Sequence, residues 1–458
     1  MFRVPKGTEM TTKLLAKYIS KHKAEVSSRM QKLQDAYENK YEINDYQKNP
    51  KKPNYKPDVR ISINHAKYIV DTFNGFFTGV PIKVTVKGGD EESKNIIEFV
   101  DKINTMNYVD NRNREIAKFA DIHGAGHEIY YSDKQGEIGI MQVSPIESFF
   151  LYDDSILCRP LYFVRYYKDA ENVERGSFSD DKVVQKFYRK GDYYFDGKAE
   201  PHYFDGVPAT EFPENAERHG LFESELSAMN EYNKALSEKA NDVDYYADAY
   251  LKILGPELTE QDIKDIRDDR VFNYAGDSNA FPVVDFLQKP NADSTQENLL
   301  DRLKNDIFQI SMVANISDET FGNTSGEALK YKLKTMSDLA KTKTGLFREA
   351  LARRYKVIFS HPTAVEYGVK PDDWMKLQFK FTENFPANIA NEASTVSLLS
   401  GEVSERTKLS LLSNIEDVDA EIEAMKKERE EAERDTLAQL MFKNEDISNG
   451  EEKDEEQS

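Results

Sequence analysis

Few residues in this chain combine the type and the spacing that catalysis or metal binding needs. His123 and His127, in His123-Gly-Ala-Gly-His-Glu128, stand four apart, as two metal ligands on one helix face would. The two glycines between them argue against a rigid helix, and no nearby cysteine or third histidine completes a site. The segment reads as a turn entering a strand. The pairs Asp153-Asp154 and Asp268-Asp269 could take a divalent cation, yet adjacent acids in an acidic protein are ordinarily solvated. Gly322 and Gly326 lack the Gly-Lys-Ser/Thr ending of a phosphate loop, and no Gly-x-Ser-x-Gly elbow or Cys/His signature stands out. Aromatic and basic residues interleave from Tyr162 to Lys168 like a stacking platform for single strands, but strand packing explains them better. No catalytic residue, metal site or cofactor is expected, and a binding or structural role leads.

The elements around these residues define the architecture. The 458 residues suffice for two to four domains, and 25 Tyr plus 26 Phe supply large apolar groups for cores or interfaces. The single cysteine, Cys158, cannot form an internal disulfide, which suits a reducing interior, and it reads as a small buried hydrophobe. No apolar run approaches the ~18 residues of a membrane span, and the N-terminus lacks a signal-peptide core, so synthesis and assembly in the cytosol are expected. The net charge of −20 argues against a chain that binds nucleic acid over its whole surface. Residues 1 to 60 nevertheless hold 14 Lys plus Arg against 7 Asp plus Glu, a net of +7 that leaves −27 for the rest.

Residues 9 to 40 read as a charged helix, followed by a Lys/Asn/Pro linker over 49 to 57. A helix from about residue 61 stops near Gly79 and gives way to a short strand ending at Val86. Residues 92 to 120 look helical. Strands are expected at 129–131, 138–143, 148–152, 161–167, 183–189 and 193–195. A helical stripe runs over 224 to 250 through Leu226, Met229, Leu236 and Ala240, and another over 295 to 313 through Leu299, Leu303, Ile307 and Ile310. They bracket an α+β insert with strands at 251–254, 271–274 and 283–287 and a helix near 259–268. Thr324 and Glu327 have the spacing of a capping box, opening a helix from about 326 to 359 that would be about 50 Å long. A strand at 374–381, helices at 388–400 and 417–440, a cap at Ser404 and a disordered acidic tail complete the chain.

Three stretches, Asn64 to Pro81, Leu236 to Asp242 and Phe321 to Leu333, together with Gly401 to Thr407, resemble the portal proteins of long-tailed double-stranded DNA bacteriophages, in the branch common among phages of Gram-positive hosts. The likeness covers about residues 20 to 430. It implies an α+β portal fold with wing, helical stem, α/β clip and helical crown, assembling as a ring of usually twelve subunits around a DNA channel at one capsid vertex. On that basis residues 1–223 form the N-terminal arm and wing, 224–250 and 291–312 the stem helices, and 251–290 the clip. The tunnel loop is 313–325, the long wing helix and wing strand 326–387, the crown 388–443, and the tail 444–458. The implied partners are double-stranded DNA, the terminase large subunit, scaffold and major capsid protein, and head-tail connector proteins. The implied location is the virion.

The resemblance assigns Asn315, Ser317, Asp318, Glu319, Thr320, Asn323 and Thr324 to a channel-facing loop, and Glu260, Asp262, Lys264, Asp265 and Asp268 to the clip surface that meets terminase or connector. A conduit must not grip its cargo, because several Lys or Arg contacts to phosphate bind tenaciously at low salt. From Met312 to Glu327 there is no Lys or Arg, and only Asp318, Glu319 and Glu327 are charged. A metal-dependent packaging nuclease, or a helical adaptor or scaffold that stays monomeric, are the rival expectations.

Overall fold

In the computed structural model the chain divides into two compact units, Met1–Asn384 and Phe385–Ser458. The structure describes residues 2–45, 58–88, 91–133, 135–247, 251–254, 283–286, 293–316, 331–384, 389–412, 415, 418, 421–432 and 434. The fold is α+β.

The larger unit opens with β1 (Phe2–Val4), α1 (Thr12–His22), a π-helical segment Lys23–Ser27 and α2 (Ser28–Tyr37). A short α3 (Glu42–Asp45), then α4 (His65–Thr78), β2 (Lys83–Val86), α5 (Glu91–Asn107) and α6 (Val109–His123) follow. Next come β3 (Ala125–Ser132), β4 (Ile138–Val143), β5 (Ser148–Asp153), β6 (Pro160–Lys168), β7 (Glu174–Ser179), β8 (Val183–Lys190), β9 (Asp192–Pro201) and β10 (Ala209–Pro213). One sheet has the order β1-β5-β6-β7-β8-β9, with β1 parallel to β5 and the other pairs antiparallel. A second has the order β10-β3-β4.

The period of two in β5 explains the layering. Phe149 and Leu151 pack with Leu15, Tyr18 and Ile19 of α1, while Phe150 turns to the opposite face with Phe163, Val207 and Ala209. The strands at β7 and β10 escape a hydrophobic-pattern reading because Glu174–Ser179 carries one large apolar residue and Ala209–Pro213 is short. The expected helix over 92 to 120 is two helices. The chain breaks at Tyr108, whose left-handed backbone (φ 51°) turns α5 into α6, and Asn107 between them donates to the Ile138 carbonyl and accepts from the Ile140 amide. Cys158, expected as a buried hydrophobe, is half-buried in the β5–β6 turn with φ 47°.

A long helix crosses both halves of this unit. It follows α7 (Leu226–Ala247), β11 (Leu251–Leu254), β12 (Val283–Phe286) and α8 (Asp293–Ser311), and as α9 spans Lys334–Phe359, about 39 Å at the usual rise. The expected helix from 326 is interrupted at the buried Leu333 (φ −89°, ψ 0°), and the capping box Thr324/Glu327 lies outside the described residues. β13 (Leu377–Lys380) pairs antiparallel with β2.

One face of α9 carries two fully buried cations three turns apart. Lys343 Nζ lies 2.5 Å from Asp121 Oδ1 and 2.6 Å from Glu214 Oε2, tying the helix to α6 and to the residue just past β10. Arg354 donates through Nε and Nη2 to the two Glu128 oxygens of β3 at 2.8 and 2.9 Å. Glu128 also accepts from Tyr130 Oη at 3.0 Å. Between the two cations Phe347 packs on Phe77, Phe212 and Phe381. Burial pushes the Asp121 carboxyl well above the usual carboxylate range, Lys343 opposing and Glu214 adding to the rise. Burial also works against the Lys343 charge, but the two carboxylates overcome it and hold the ammonium protonated.

The larger unit also holds the short α10 (Pro362–Glu366) between α9 and β13; in the smaller unit α11 (Ile389–Leu398) ends before Gly401, whose φ of +94° is accessible to glycine. Ser404 Oγ then accepts from the Thr407 amide and caps α12 (Glu405–Leu409), as its sequence predicts.

Removing one partner of a buried pair leaves the other charge uncompensated. Arg354→Ala should cost about 3–5 kcal/mol in urea denaturation, whereas Arg354→Met with Glu128→Leu should recover most of the loss. Equal destabilisation of both variants would show that Arg354 acts through packing alone.

Candidate functional site

The region whose residues could act together is the helical hairpin α7–α8 and the segments fastened to it. Met229 and Tyr232 of α7 and Leu300 and Ile307 of α8 are buried. The two helices run antiparallel: Lys239 and Asp242, late in α7, pair with Glu297 and Gln296, early in α8. At the other end the His65 ring of α4 is flanked edge-on by Tyr232 and Phe308, with centroids 4.9 and 5.7 Å away. Beyond the far end, Leu251–Leu254 and Val283–Phe286 form a two-stranded antiparallel ribbon with Leu251 opposite Phe286.

An extended segment, Val59 to Ile63, lies along α7 as a strap. Asn241 accepts from the Val59 amide (2.6 Å) and donates to its carbonyl (3.2 Å). Ser237 Oγ does the same for Ile61 at 2.9 and 3.2 Å, and Asn233 Oδ1 accepts from the Ile63 amide at 2.8 Å. Two residues of extended chain advance about 6.7 Å and four residues of helix about 6 Å, so every second strap residue meets every fourth helix residue. The helix face thus substitutes for a neighbouring strand. The strap runs directly into Asn64, whose side chain caps α4 at the Lys67 amide and donates to the Tyr37 carbonyl of α2. Helix α7, the strap and α4 are one connected set.

Glu225, one residue before α7, is buried, and its Oε2 has no hydrogen-bond partner among the described residues. Burial pushes its carboxyl up to about 7.

The segment after α8 is also held. Met312 adopts φ 59°, Val313 is buried, and the Ile316 amide donates to Tyr68 Oη at 2.9 Å. Thr335 Oγ1, at the start of α9, donates to the Met312 carbonyl at 3.4 Å. The start of α9 is thereby tied, through Thr335, to Met312 just past α8. Of the channel-facing residues named from sequence, Asn315 is half-buried in this anchored stretch. Ser317, Asp318, Glu319, Thr320, Asn323 and Thr324 lie outside the described residues, as do Glu260, Asp262, Lys264, Asp265 and Asp268.

The histidine pair does not converge on a site. His123 closes α6, Gly124 turns the chain with φ 88°, and His127 sits in β3 with Nδ1 2.8 Å from Ser148 Oγ. A Cβ at Gly124 would lie 2.0 Å from the Arg218 carbonyl oxygen, so only glycine fits that turn. Burial lowers the two imidazoles to about 3 and about 4, keeping them neutral. A cavity of about 230 Å³ beside His22 and His127 includes Arg29 and Arg218, but Arg29 is paired with Glu223 and Arg218 with Glu211. Among the described residues no group of three or more His, Cys, Asp or Glu is placed to hold a metal ion, and no helix is long and apolar enough to cross a membrane.

The strap ladder escaped the sequence reading, although Leu236 to Asp242 was one of the informative stretches. The signal was there: Asn233, Ser237 and Asn241 repeat at four-residue steps beside the apolar stripe of α7.

The site is thus a helical hairpin strapped to an α+β body. Residues 16–435 match the family of phage portal proteins described as SPP1 Gp6-like, and the chain belongs to that family. Among curated proteins it is 23% identical over 371 residues to a portal protein of Clostridium phage phiCD119, covering 73% of this chain and 77% of the relative. Membership places it among the capsid-associated proteins of phage particles.

Two measurements probe the hairpin. Ser237→Val with Asn241→Leu removes four side-chain bonds to the strap and should cost roughly 2–4 kcal/mol, with faster amide exchange at Val59 and Ile61. Unchanged exchange there would mean the ladder does not hold the strap. For Glu225, the folded group binds its proton more tightly than the unfolded one, so stability falls as pH rises from about 4.5 towards about 7. Glu225→Gln should therefore stabilise the chain by roughly 1–3 kcal/mol at pH 8 and have little effect at pH 4; a pH-independent difference in melting would contradict the buried acid.

Proposed function

We propose that this chain is the subunit of a portal ring, with twelve copies surrounding a channel at one capsid vertex through which double-stranded DNA is packaged and later ejected. The observation that carries the reading is the family match along residues 16–435, within which the α7–α8 hairpin is followed by a segment anchored at both ends. In this reading α7 and α8 are the stem, residues 251–290 are the clip, and residues 313–325 are the tunnel loop. The crown is 388–443, and the rest of the larger unit is wing.

The clip, through Glu260, Asp262, Lys264, Asp265 and Asp268, receives the terminase motor during packaging and connector proteins afterwards. Scaffold and major capsid protein meet the wing. The portal itself hydrolyses nothing: ATP is spent by the motor, and the ring supplies pore and symmetry. Closure requires heterologous side-by-side contacts whose rotation returns on itself.

DNA passes the loop without being held. Each phosphate neutralised by a protein cation adds to binding that strengthens as salt falls, and the stretch from Met312 to Glu327 offers Asp318 and Glu319 instead of any cation. Native mass measurement of the purified chain tests the assembly, with a closed ring expected and a monomer favouring an adaptor or scaffold. Metal-dependent DNA cleavage by the purified chain would favour the nuclease reading. Asp318→Lys with Glu319→Lys should leave the ring intact but reduce packaged DNA by about tenfold or more at low salt, with partial recovery as salt rises. Unchanged packaging by intact variant rings would remove the loop from the channel wall.

A further inference from the structure

Over β6 to β9 the larger sheet turns one face to the core, where Tyr166, Phe178, Phe187 and Tyr193 pack with Leu15, Tyr18 and Ile19 of α1. The period of two points their neighbours the other way. Register brings four of those outward residues into one line across the strands: Tyr167 lies opposite Arg175, Arg175 opposite Tyr188, and Tyr188 opposite Tyr194. Tyr167 is 37% exposed and Tyr194 47%, and the Tyr188 and Tyr194 rings stack at 5.7 Å, inclined by 25°. Two residues along each strand a second line follows, Arg165, Ser177, Lys186 and Asp196. Strand packing thus accounts for Tyr162, Val164 and Tyr166 of β6, but not for Tyr167.

The two lines interleave flat rings with cations. The Arg165 guanidinium lies over the Tyr167 ring, 5.1 Å from its centroid. Arg175 is steered by Asp169, whose Oδ2 accepts from its Nε at 2.6 Å, and Lys186 Nζ lies 3.7 Å from Glu200. Charge is therefore graded across the face: Arg165, Arg175 and Lys186 sit on β6, β7 and β8, while the acids Asp196 and Glu200 are confined to the edge strand β9.

We propose that this sheet face binds an unpaired DNA strand, its bases stacked on Tyr167, Tyr188 and Tyr194 and its phosphates set against Arg165, Arg175 and Lys186. With strands about 4.8 Å apart the aromatic line is about 14 Å long, which gives room for two or three splayed bases. Every base has a π-face, so such a surface is indifferent to sequence but needs bases free of a duplex stack. An acidic polypeptide would satisfy the cations and leave the three rings without a planar partner. The face reads base and phosphate, not sugar. The choice of DNA over RNA rests on the portal reading above, which brings DNA to this subunit.

The test titrates a fluorescently labelled oligothymidylate of about ten nucleotides with the purified full chain and reads anisotropy. Tyr188→Ala and Tyr194→Ala should each weaken binding by at least about fivefold, whereas Tyr188→Phe and Tyr194→Phe, which keep the rings, should bind as the wild type does. Lys186→Ala should lower the slope of log affinity against log salt by about 0.7, the loss of one phosphate contact on a single strand. A duplex of the same length should bind at least about tenfold more weakly, since its bases are already stacked. Melting of the variants should match the wild type, because the altered side chains are exposed or half-buried. Alanine variants that bind like the wild type, a duplex that binds as tightly as the single strand, or no binding up to about 0.1 mM chain at low salt would overturn the proposal. Tighter binding of an oligouridylate would overturn its assignment to DNA. A wild-type chain that binds the strand but stays monomeric in native mass spectra would overturn the ring reading and leave the stacking face in place.

Discussion

Burying a cation in a protein core is tolerated only when its partner is already in place, and α9 buries two. Lys343 requires Asp121 of α6 and Glu214 beyond β10, while Arg354 requires Glu128 of β3, and all four elements are fixed relative to one another once those contacts form. An apolar seam of the same length could slide by a turn with modest loss. Two ion pairs separated by three helical turns cannot, since a slip would leave charges of both signs stranded in low dielectric. The aromatic layer around Phe347 fills the space between the pairs and excludes water from them. The result is a rigid beam that packs on α4 through Phe77 and on the three-stranded sheet through Phe212.

The helical hairpin is attached to this body by a different kind of contact. Its strap is held by side-chain amides and a hydroxyl pairing with backbone, which supplies direction and register without demanding particular strap side chains. The strap continues directly into the Asn64 cap of α4, so α7 and the first turn of α4 are linked through it. Buried ion pairing holds the body, whereas a polar ladder holds the hairpin. The uncompensated Glu225 stands where the two regimes meet.

Much of the element order was legible because its physics is local. The stop of α4 at Gly79, strands β4 to β6, the helical stripes of α7 and α8, the Gly401 end and the Ser404 cap all follow from apolar period, glycine and capping residues. The break at Tyr108 was not legible, since an ordinary tyrosine takes a left-handed backbone there with Asn107 pairing the adjacent strand edge. The strands β7 and β10 were hidden because one carries a single large apolar residue and the other is short, and nothing local marks the interruption at Leu333. For the candidate site, the hairpin was visible as two periodic helices, whereas the strap ladder was not, because a polar residue every fourth position looks like a solvated face until its partner is known.

By itself the sequence determined the secondary-structure alphabet, the absence of any cation between Met312 and Glu327, the split of charge between its first 60 residues and the remainder, and family-level motifs spread over most of the chain. Those properties are set residue by residue or over a few neighbours. Only the tertiary structure decided that Lys343 and Arg354 face inward, that Val59 to Ile63 lies on α7, and that Thr335 at the start of α9 meets Met312 just past α8. The reason is range. Whether a charge is buried, or a polar side chain meets backbone instead of water, depends on groups tens to hundreds of residues away, and no local spacing encodes which of them arrives.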